Sequence, residues 1–343
     1  MPERGEKMRF PLVSIITPAY NQGKFIEKTI LSVKHQDYPY IEHLVIDGGS
    51  TDNTLDVLHK YSDVVRWISE PDKGFADAVN KGIRMSSGDI LAIQNSDDTY
   101  HDRSAIRKAV DAFIGNPTAG VIFGDSAIID ENNKLLNYGE RAYQGYNFSA
   151  FLCSEFSFPQ SSAFIRRSAL EAINGKLDTD VDWCADFDLF IRIGLRFPLI
   201  YIPEVLANYR VSAKHRNARL SYAFLNPRDR RRVLKKVFSS HDLPPEIQRL
   251  KGKAYAGTYL VEASRLCSFG LMKEAVKCII TAIRLYPSYL FNQRLFQINR
   301  NMFYKYLELI LGKKMFNSLI KMKHSIQKRN VREEEPQSYM WWK

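Results

Sequence analysis

The chain has 343 residues, 45% of them hydrophobic and 12% aromatic; that allows one large or two ordinary domains and excludes wholesale disorder. Lys and Arg number 49 and Asp and Glu 38, a formal net charge of +11, but the excess is unevenly placed. Residues 1–220 carry 25 basic and 29 acidic side chains, a balance of −4, while residues 221–343 carry 24 and 9, a balance of +15; this excludes a uniformly basic nucleic-acid binder and describes a mildly acidic module with a basic appendage.

The opening MPERGEKMRF is charged, and the run PLVSIITPAY after it contains Ser, Thr and Pro and lacks a cleavage-site pattern, so it does not read as a signal peptide. No uninterrupted apolar run reaches the roughly 18 residues of a membrane span. Cys153, Cys184, Cys267 and Cys278 show no CxxC spacing and read as reduced, mostly buried thiols of a cytoplasmic protein. Residues 12–17 (LVSIIT) read as a strand ending at Pro18, and Phe25, Ile26, Ile30 and Val33 recur at helical spacing. Residues 43–46 (HLVI) read as a strand, 52–61 as a helix, 64–68 (VVRWI) as a strand, 75–85 as a helix, 90–93 (ILAI) as a strand, 103–114 as a helix and 120–123 (GVIF) as a strand.

This alternation predicts an α/β fold with a mostly parallel sheet flanked by helices. In such sheets ligands bind beyond the carboxyl ends of the strands. The polar clusters Thr17-Pro18-Ala19-Tyr20-Asn21, Asp47-Gly48-Gly49-Ser50-Thr51-Asp52 and Asn95-Ser96-Asp97-Asp98 all follow strands and should converge on one rim. No GxGxxG follows the first strand and no GxxxxGK[ST] occurs, which disfavours a Rossmann dehydrogenase and a P-loop NTPase. From 125 to 210 the pattern is less regular, with a strand at 161–165 (SSAFI), a helix at 185–196 and a closing strand at 206–211. Pro227, Pro244 and Pro245 then punctuate a pattern that stays helical to about residue 330.

Three constellations carry chemistry. Carboxylates at a strand end, as in Asn95-Ser96-Asp97-Asp98, are hard oxygen ligands suited to Mg²⁺ or Mn²⁺ that also takes substrate phosphate oxygens; Asp98 or Asp102 reads equally as a helix N-cap. The glycines of Asp47–Asp52 permit a tight turn or a close approach to a ligand, and Asp47 could accept from a base or sugar; a turn capped by Ser50 or Asp52 is the alternative. In SEPDKGFADAVNKGI at 69–83, Lys73 and Gly74 stand at a helix entrance, which favours phosphate, and Asp77 and Asn80 share a helix face that is otherwise simply solvated.

Together, in this order, VSIITPAYN at 13–21, IDGGSTDNT at 46–54, the PDKG…NKG run, NSDD at 95–98 and ADFDLFIRI at 185–193 resemble glycosyltransferase family 2. The resemblance covers residues 12–212 and implies a GT-A Rossmann-like fold and an inverting transfer from a nucleotide-diphospho-sugar, a UDP-sugar, to a hydroxyl of a saccharide or glycolipid acceptor. It implies that Asp97 holds a divalent cation (Mg²⁺ or Mn²⁺), with Asn95 where many members have another acid. It sets Pro18, Tyr20, Asn21, Asp47, Lys73, Asp77, Asn95 and Ser96 about the donor, with Gly48 where a second acid is usual. Asp186 matches the catalytic base. Asp188, two residues on, falls on a different helix side, with Arg192 at ion-pair spacing. Near the acceptor or as a lid the resemblance sets Gln160, Trp183, Arg210 and His215; each reads otherwise as a loop amide, a structural aromatic or scattered surface charge.

These features outline a catalytic domain at 11–220 and a basic helical region at 221–330. Within the latter, Tyr259, Ala263, Gly270, Ala275, Ile279, Ala282 and Pro287 resemble one tetratricopeptide-like hairpin at 255–287. Phe303, Leu307, Leu311, Met315, Leu319, Met322 and Ile326 form an apolar stripe at 302–329 beside Lys313, Lys314, Lys321, Lys323, Lys328 and Arg329. Such a helix either lies on an anionic membrane surface or packs internally. Residues 331–343 read as a disordered tail. Two other functions fit the residues: a nucleotidyltransferase, which would release pyrophosphate, and a non-catalytic scaffold built on a degenerate fold.

Overall fold

The structure, a computed structural model, describes residues 10–138, 147–211 and 220–291. His215, the stripe at 302–329 and the tail at 331–343 lie outside the described residues. In chain order the elements are β1 (Val13–Ala19), α1 (Ile26–Lys34), β2 (Ile41–Asp47), α2 (Thr54–Lys60), β3 (Arg66–Ser69), α3 (Phe75–Met85), β4 (Ile90–Ile93), β5 (Thr99–Tyr100), α4 (Ala105–Gly115), β6 (Val121–Ile129) and β7 (Leu135–Tyr138). They continue with α5 (Phe148–Leu152), β8 (Ala163–Arg166), α6 (Arg167–Glu171), α7 (Ala185–Gly194), β9 (Leu199–Arg210), α8 (Leu220–Phe238), α9 (Pro245–Gln248), α10 (Lys251–Ser268) and α11 (Met272–Leu285). Short 3-10 turns occupy Gln160–Ser162 and Thr179–Cys184.

One nine-stranded sheet runs β3-β2-β1-β4-β8-β6-β9-β5, with β7 beside β6. Its first four strands are parallel. Successive side chains of a strand point to opposite faces, and here both faces are covered. Ile16, Leu91 and Ile93 join the core with Ala78 and Val79 of α3, while Ile15, Ile90 and Ala92 join the core with Ala109, Val110 and Phe113 of α4. Burial on both faces is why these strands read as continuous apolar runs. Beyond β4 the sheet turns mixed: β8 is antiparallel to β4 and β6, β9 is parallel to β6, and β5 is antiparallel to β9. Parallel order thus governs the first half, not the whole sheet. The chain re-enters at β8 from the carboxyl end of β4, where Gln160 of the 3-10 turn donates to the Ile93 carbonyl, so β8 must run backwards. The closing strand is also longer than the sequence indicates, because 199–201 already pairs with 121–123.

Contacts divide the chain into two compact units, 1–258 and 259–343. The first unit extends past the charge break at 220. Val233, Leu234, Val237 and Phe238 of α8 are buried in its main core, because every third or fourth residue of this basic helix is apolar. In the second unit the rest of α10 is joined to α11 by a turn at Gly270 (φ +78°), and Ala263, Ala275 and Ala282 are buried. Among the described residues no helix is long and apolar enough to cross a membrane. Cys153, Cys184 and Cys267 are buried free thiols, and burial pushes the Cys153 thiol up to about 12.

His43 of β2 is buried, with Nε2 2.9 Å from Thr17 Oγ1, and burial pushes its pKa down to about 3. The ring is neutral in the fold, whereas the unfolded chain takes up a proton near pH 6.5. Its contribution to stability is therefore full above that pH and declines as pH falls from 6.5 toward 3. Urea titrations of His43→Gln should lack a share, on the order of 1–2 kcal/mol, of the stability lost between pH 7 and 5. Identical pH dependence in both proteins would contradict this.

Candidate active site

The carboxyl ends of the parallel strands carry loops that hold one another. Asp47 ends β2 fully buried. Its carboxylate accepts from the N–H groups of Gly49 (3.1 Å) and Ser50 (2.9 Å) and from the hydroxyls of Ser50 and Ser69 (2.6 Å for Ser69). The turn passes through Gly49 at φ +82°, where a side chain would be strained. Ser50 Oγ accepts in turn from the Asn21 N–H (2.7 Å), and Asn21 Oδ1 accepts from the Thr51 N–H (2.8 Å). Gln22 N–H donates to Thr54 Oγ1 (2.8 Å) and Gly23 N–H to Asp52 Oδ2 (3.0 Å). The loops after β1 and β2 are thus stitched together, with Pro18 half-buried and Tyr20 59% exposed at their edge. Both oxygens of Asp47, expected near the donor, are engaged by this turn.

The NSDD loop after β4 is held from two sides. Thr29 Oγ1 of α1 lies 2.9 Å from the Ser96 carbonyl and 2.7 Å from that of Asp98. Arg210, at the end of β9, donates from Nε to the Asp97 carbonyl (2.6 Å) and from Nη1 to the Asp130 carbonyl (2.7 Å), over the ring of Phe25. Arg210 is 1% exposed, so it is a brace of this loop rather than the surface or lid cation that its position after the last strand predicts. The Arg210 N–H also donates to Asp98 Oδ1 (2.9 Å), and Asn95 Nδ2 donates to Asp98 Oδ2 (3.0 Å). Burial and the charge of Asp97 push the Asp98 carboxyl up. Asp98 is therefore internal, Ser96 is buried, and Asn95 and Asp97 are half-exposed.

Among the described residues no three His, Cys, Asp or Glu side chains form a metal cage. The available set is one half-exposed carboxylate, Asp97, and the Asn95 amide oxygen, whose Nδ2 is turned to Asp98. That set fits Mg²⁺ or Mn²⁺ completed by water and substrate phosphate oxygens, and does not fit an all-protein site.

The third part comes from far along the chain. Gly74 precedes α3 at φ +121°, and Asp77 Oδ2 accepts from the N–H of exposed Lys73 (3.1 Å). Asp182, in the 3-10 turn before α7, accepts from the Ala76 N–H (2.8 Å). Asn80 on the same helix exchanges two hydrogen bonds with the backbone of Leu177 (3.0 and 2.8 Å). The arm 177–184 is so fastened along α3, and α7 begins at its end. Asp186 is half-exposed in the first turn of α7 and accepts from the Phe187 N–H (2.8 Å). Asp188 is 3% exposed and bound to Arg192 Nε (2.7 Å). Burial pushes its carboxyl up, against the opposing pull of Arg192. Asp188 faces a cavity of about 850 Å³ shared with Asp77, Asn80, Arg192 and Lys236. The two acids are thus separated as their spacing requires.

Trp183 is half-buried, with its ring 6.1 Å from Tyr222 of α8 and its carbonyl accepting from Asn226 Nδ2. Gln160 uses its amide N–H on the Ile93 carbonyl. Sequence reasoning missed Thr29, Asp182 and Tyr222 and gave Asp72, inside the PDKG run, no role. Asp182 also had a local signal, an acid just before a helical stripe; Thr29 and Tyr222 act through helices distant in sequence.

The sequence model described as Glycosyl transferase family 2 matches residues 14–173. An uncharacterized glycosyltransferase of Mycobacterium tuberculosis is 31% identical over 202 residues, 58% of this chain and 75% of that protein. The chondroitin synthase of Escherichia coli is 27% identical over 212 residues, and the match spans 29% of its length. Among solved structures, a mannosyltransferase from Pyrobaculum calidifontis in complex with GDP-Man and Mn²⁺ aligns at a TM-score of 0.58 with 20% identity, covering 88% of this chain and 87% of that one. S. aureus TarS 1-349 in complex with UDP-GlcNAc aligns at 0.54 with 15% identity, covering 81% and 91%. At these identities the structural matches establish a shared fold.

Arg210→Met would remove a donor from the Asp97 carbonyl and one of the two donors of the Asp130 carbonyl, which keeps the Asn133 N–H. It should destabilise the protein by about 2–4 kcal/mol in urea unfolding. A change within about 0.5 kcal/mol, the ordinary surface value, would show that Arg210 does not hold the loop.

Proposed function

This chain belongs to glycosyltransferase family 2, and on that premise we propose that it moves a sugar from a UDP-sugar to a hydroxyl of a saccharide or lipid-linked acceptor, with inversion, in the synthesis of a cell-surface polysaccharide. The observation that carries this reading is the fastening of the arm before Asp186 to α3, the helix that leaves the carboxyl end of β3. Asp182 caps α3 and Asn80 grips Leu177, which supports reading the half-exposed Asp186 carboxylate as a group of the strand-end rim.

Asp97, with the Asn95 oxygen, would hold a divalent cation against the donor diphosphate. Such a cation supplies charge stabilisation as negative charge gathers on the departing diphosphate. The rest falls to the chain. The stitched loops after β1 and β2 offer a rigid floor for the nucleoside, with Pro18, Tyr20 and Asn21 at its edge. Asp186 accepts the proton of the acceptor hydroxyl as that oxygen attacks the anomeric carbon from the face opposite the diphosphate. A single base and direct displacement give inversion. Trp183 and Tyr222 present aromatic faces on which an acceptor sugar can lie.

Asp186→Asn should lower kcat about 10²–10⁴-fold while leaving donor affinity near wild type. Asp97→Ala should lower turnover and weaken donor binding in the presence of Mn²⁺. Wild-type rates in both would refute these roles, and pyrophosphate as the product would identify a nucleotidyltransferase instead.

We further propose that the basic stripe at 302–329 holds the enzyme on the cytoplasmic membrane face near a lipid-linked acceptor. Replacing Lys313, Lys314, Lys321 and Lys323 by Gln should abolish flotation with anionic liposomes. Unchanged flotation would rule out this attachment.

A further inference from the structure

Gly48 follows β2 at the rim, directly after buried Asp47. Its φ is not among the positive ones, so the backbone there does not demand glycine. Space does. A Cβ built on Gly48 would overlap Asp72 Oδ2 and stand 3.1 Å from Asp72 Cγ. The carboxylate of Asp72, on the β3–α3 loop, thus fills the place that a side chain at 48 would take.

That carboxylate is half engaged. Its Oδ1 accepts from the Gly74 N–H (2.8 Å), while Oδ2 makes no hydrogen bond among the described residues. Burial raises its pKa, with Asp77 and Asp182 adding to the rise, and Lys81 opposes them while bound to Glu70 and the Pro71 carbonyl. Asp72 is only partly buried. An oriented carboxylate oxygen at the rim, fixed by a helix-entry amide and lacking a partner, is an acceptor presented to a ligand donor.

Its position says which part of a ligand it meets. Neighbouring strands lie 4.7–4.9 Å apart, and β2 is two strands from β4, so Gly48 and the NSDD loop stand on the order of 10 Å apart along the rim. A nucleoside diphosphate laid with its phosphates at Asp97 carries its base toward Gly48. We infer that Asp72, leaning into the space above Gly48, is the side chain that reads the donor nucleobase, by accepting from a ring N–H such as the imide of uracil. The inference rests on the donor reading above.

The test is calorimetric binding of UDP and CDP, each with Mn²⁺, to the wild-type protein and to Asp72→Asn. The Gly74 N–H keeps the asparagine oxygen at Oδ1, which puts the NH₂ where Oδ2 stood. That donor opposes the uracil imide and suits the bare ring nitrogen of cytosine. UDP affinity should fall roughly tenfold to a hundredfold, CDP affinity should hold or rise, and the preference for UDP should narrow. The exchange Gly48→Asp with Asp72→Gly returns a carboxylate to the same space from the other strand and should restore the preference. Should wild type bind UDP and Asp72→Asn leave the UDP-to-CDP ratio unchanged, Asp72 does not read the base although the donor reading stands. Should wild type bind neither nucleotide, the donor reading itself fails and this inference with it.

Discussion

The hydrogen bond from the Ala76 N–H to the Asp182 carboxylate fixes where α7, and Asp186 with it, begins. A helix leaves its first amides without internal partners, and the residue that opens α3, Gly74, has no side chain to offer them. The partner arrives from 106 residues later in the chain. Capping α3 and placing the start of α7 are therefore one event. The second fastening, Asn80 to Leu177, uses both faces of one amide on one residue and so sets the direction of the arm as well as its attachment. Four residues past the cap comes Asp186. An acid carried on a free loop is not held to one geometry, whereas one carried on a helix whose preceding arm is pinned at two points is.

The carboxylates around the rim sort themselves by what they touch. Asp47, Asp98 and Asp188 are internal, the first two saturated by loop amides and hydroxyls and the third by Arg192. Asp72, Asp97 and Asp186 remain at least partly open. Motif reading cannot make this division, since neighbours in the same short motif fall on both sides of it. Asp97 and Asp98 are adjacent, yet only one turns inward, because Arg210 reaches it from the end of β9.

The same logic explains what was legible from residues alone. The parallel half of the sheet was plain because its strands are short apolar runs ended by Pro18, Asp47 and the NSDD cluster, and its helices keep a 3.6 period. The antiparallel half was obscure because its strands pair with partners whose order depends on where the chain re-enters the sheet. Arg210 and Gln160 were read as loop residues near ligand. Their donors serve backbone carbonyls far off in the sequence, at Ile93, Asp97 and Asp130, and nothing in the local sequence records those partners. The helices after 220 looked like an appendage because charge was the conspicuous signal, although α8 carries the apolar stripe that buries it in the first unit.

The arrangement also bears on how a diphosphate can be received. From sequence, Lys73 and Gly74 at a helix start look like a phosphate site. In the structure the amides at that start are taken by Asp72, Asp77 and Asp182. The positive end of the helix dipole is thus already matched with protein carboxylates, and an anion arriving there would meet negative charge rather than free N–H groups. At an effective dielectric of about 20, two like charges 4 Å apart repel by about 4 kcal/mol. A diphosphate near this end would face several such terms, with exposed Lys73 as an opposing cation. The NSDD loop differs, for Arg210 lies beneath it and one carboxylate faces outward. There a divalent cation would neutralise Asp97 and the phosphate oxygens together. The acidic balance of the first 220 residues, unhelpful to a phosphate by itself, would favour the metal-bound form of the proposed donor over the free anion.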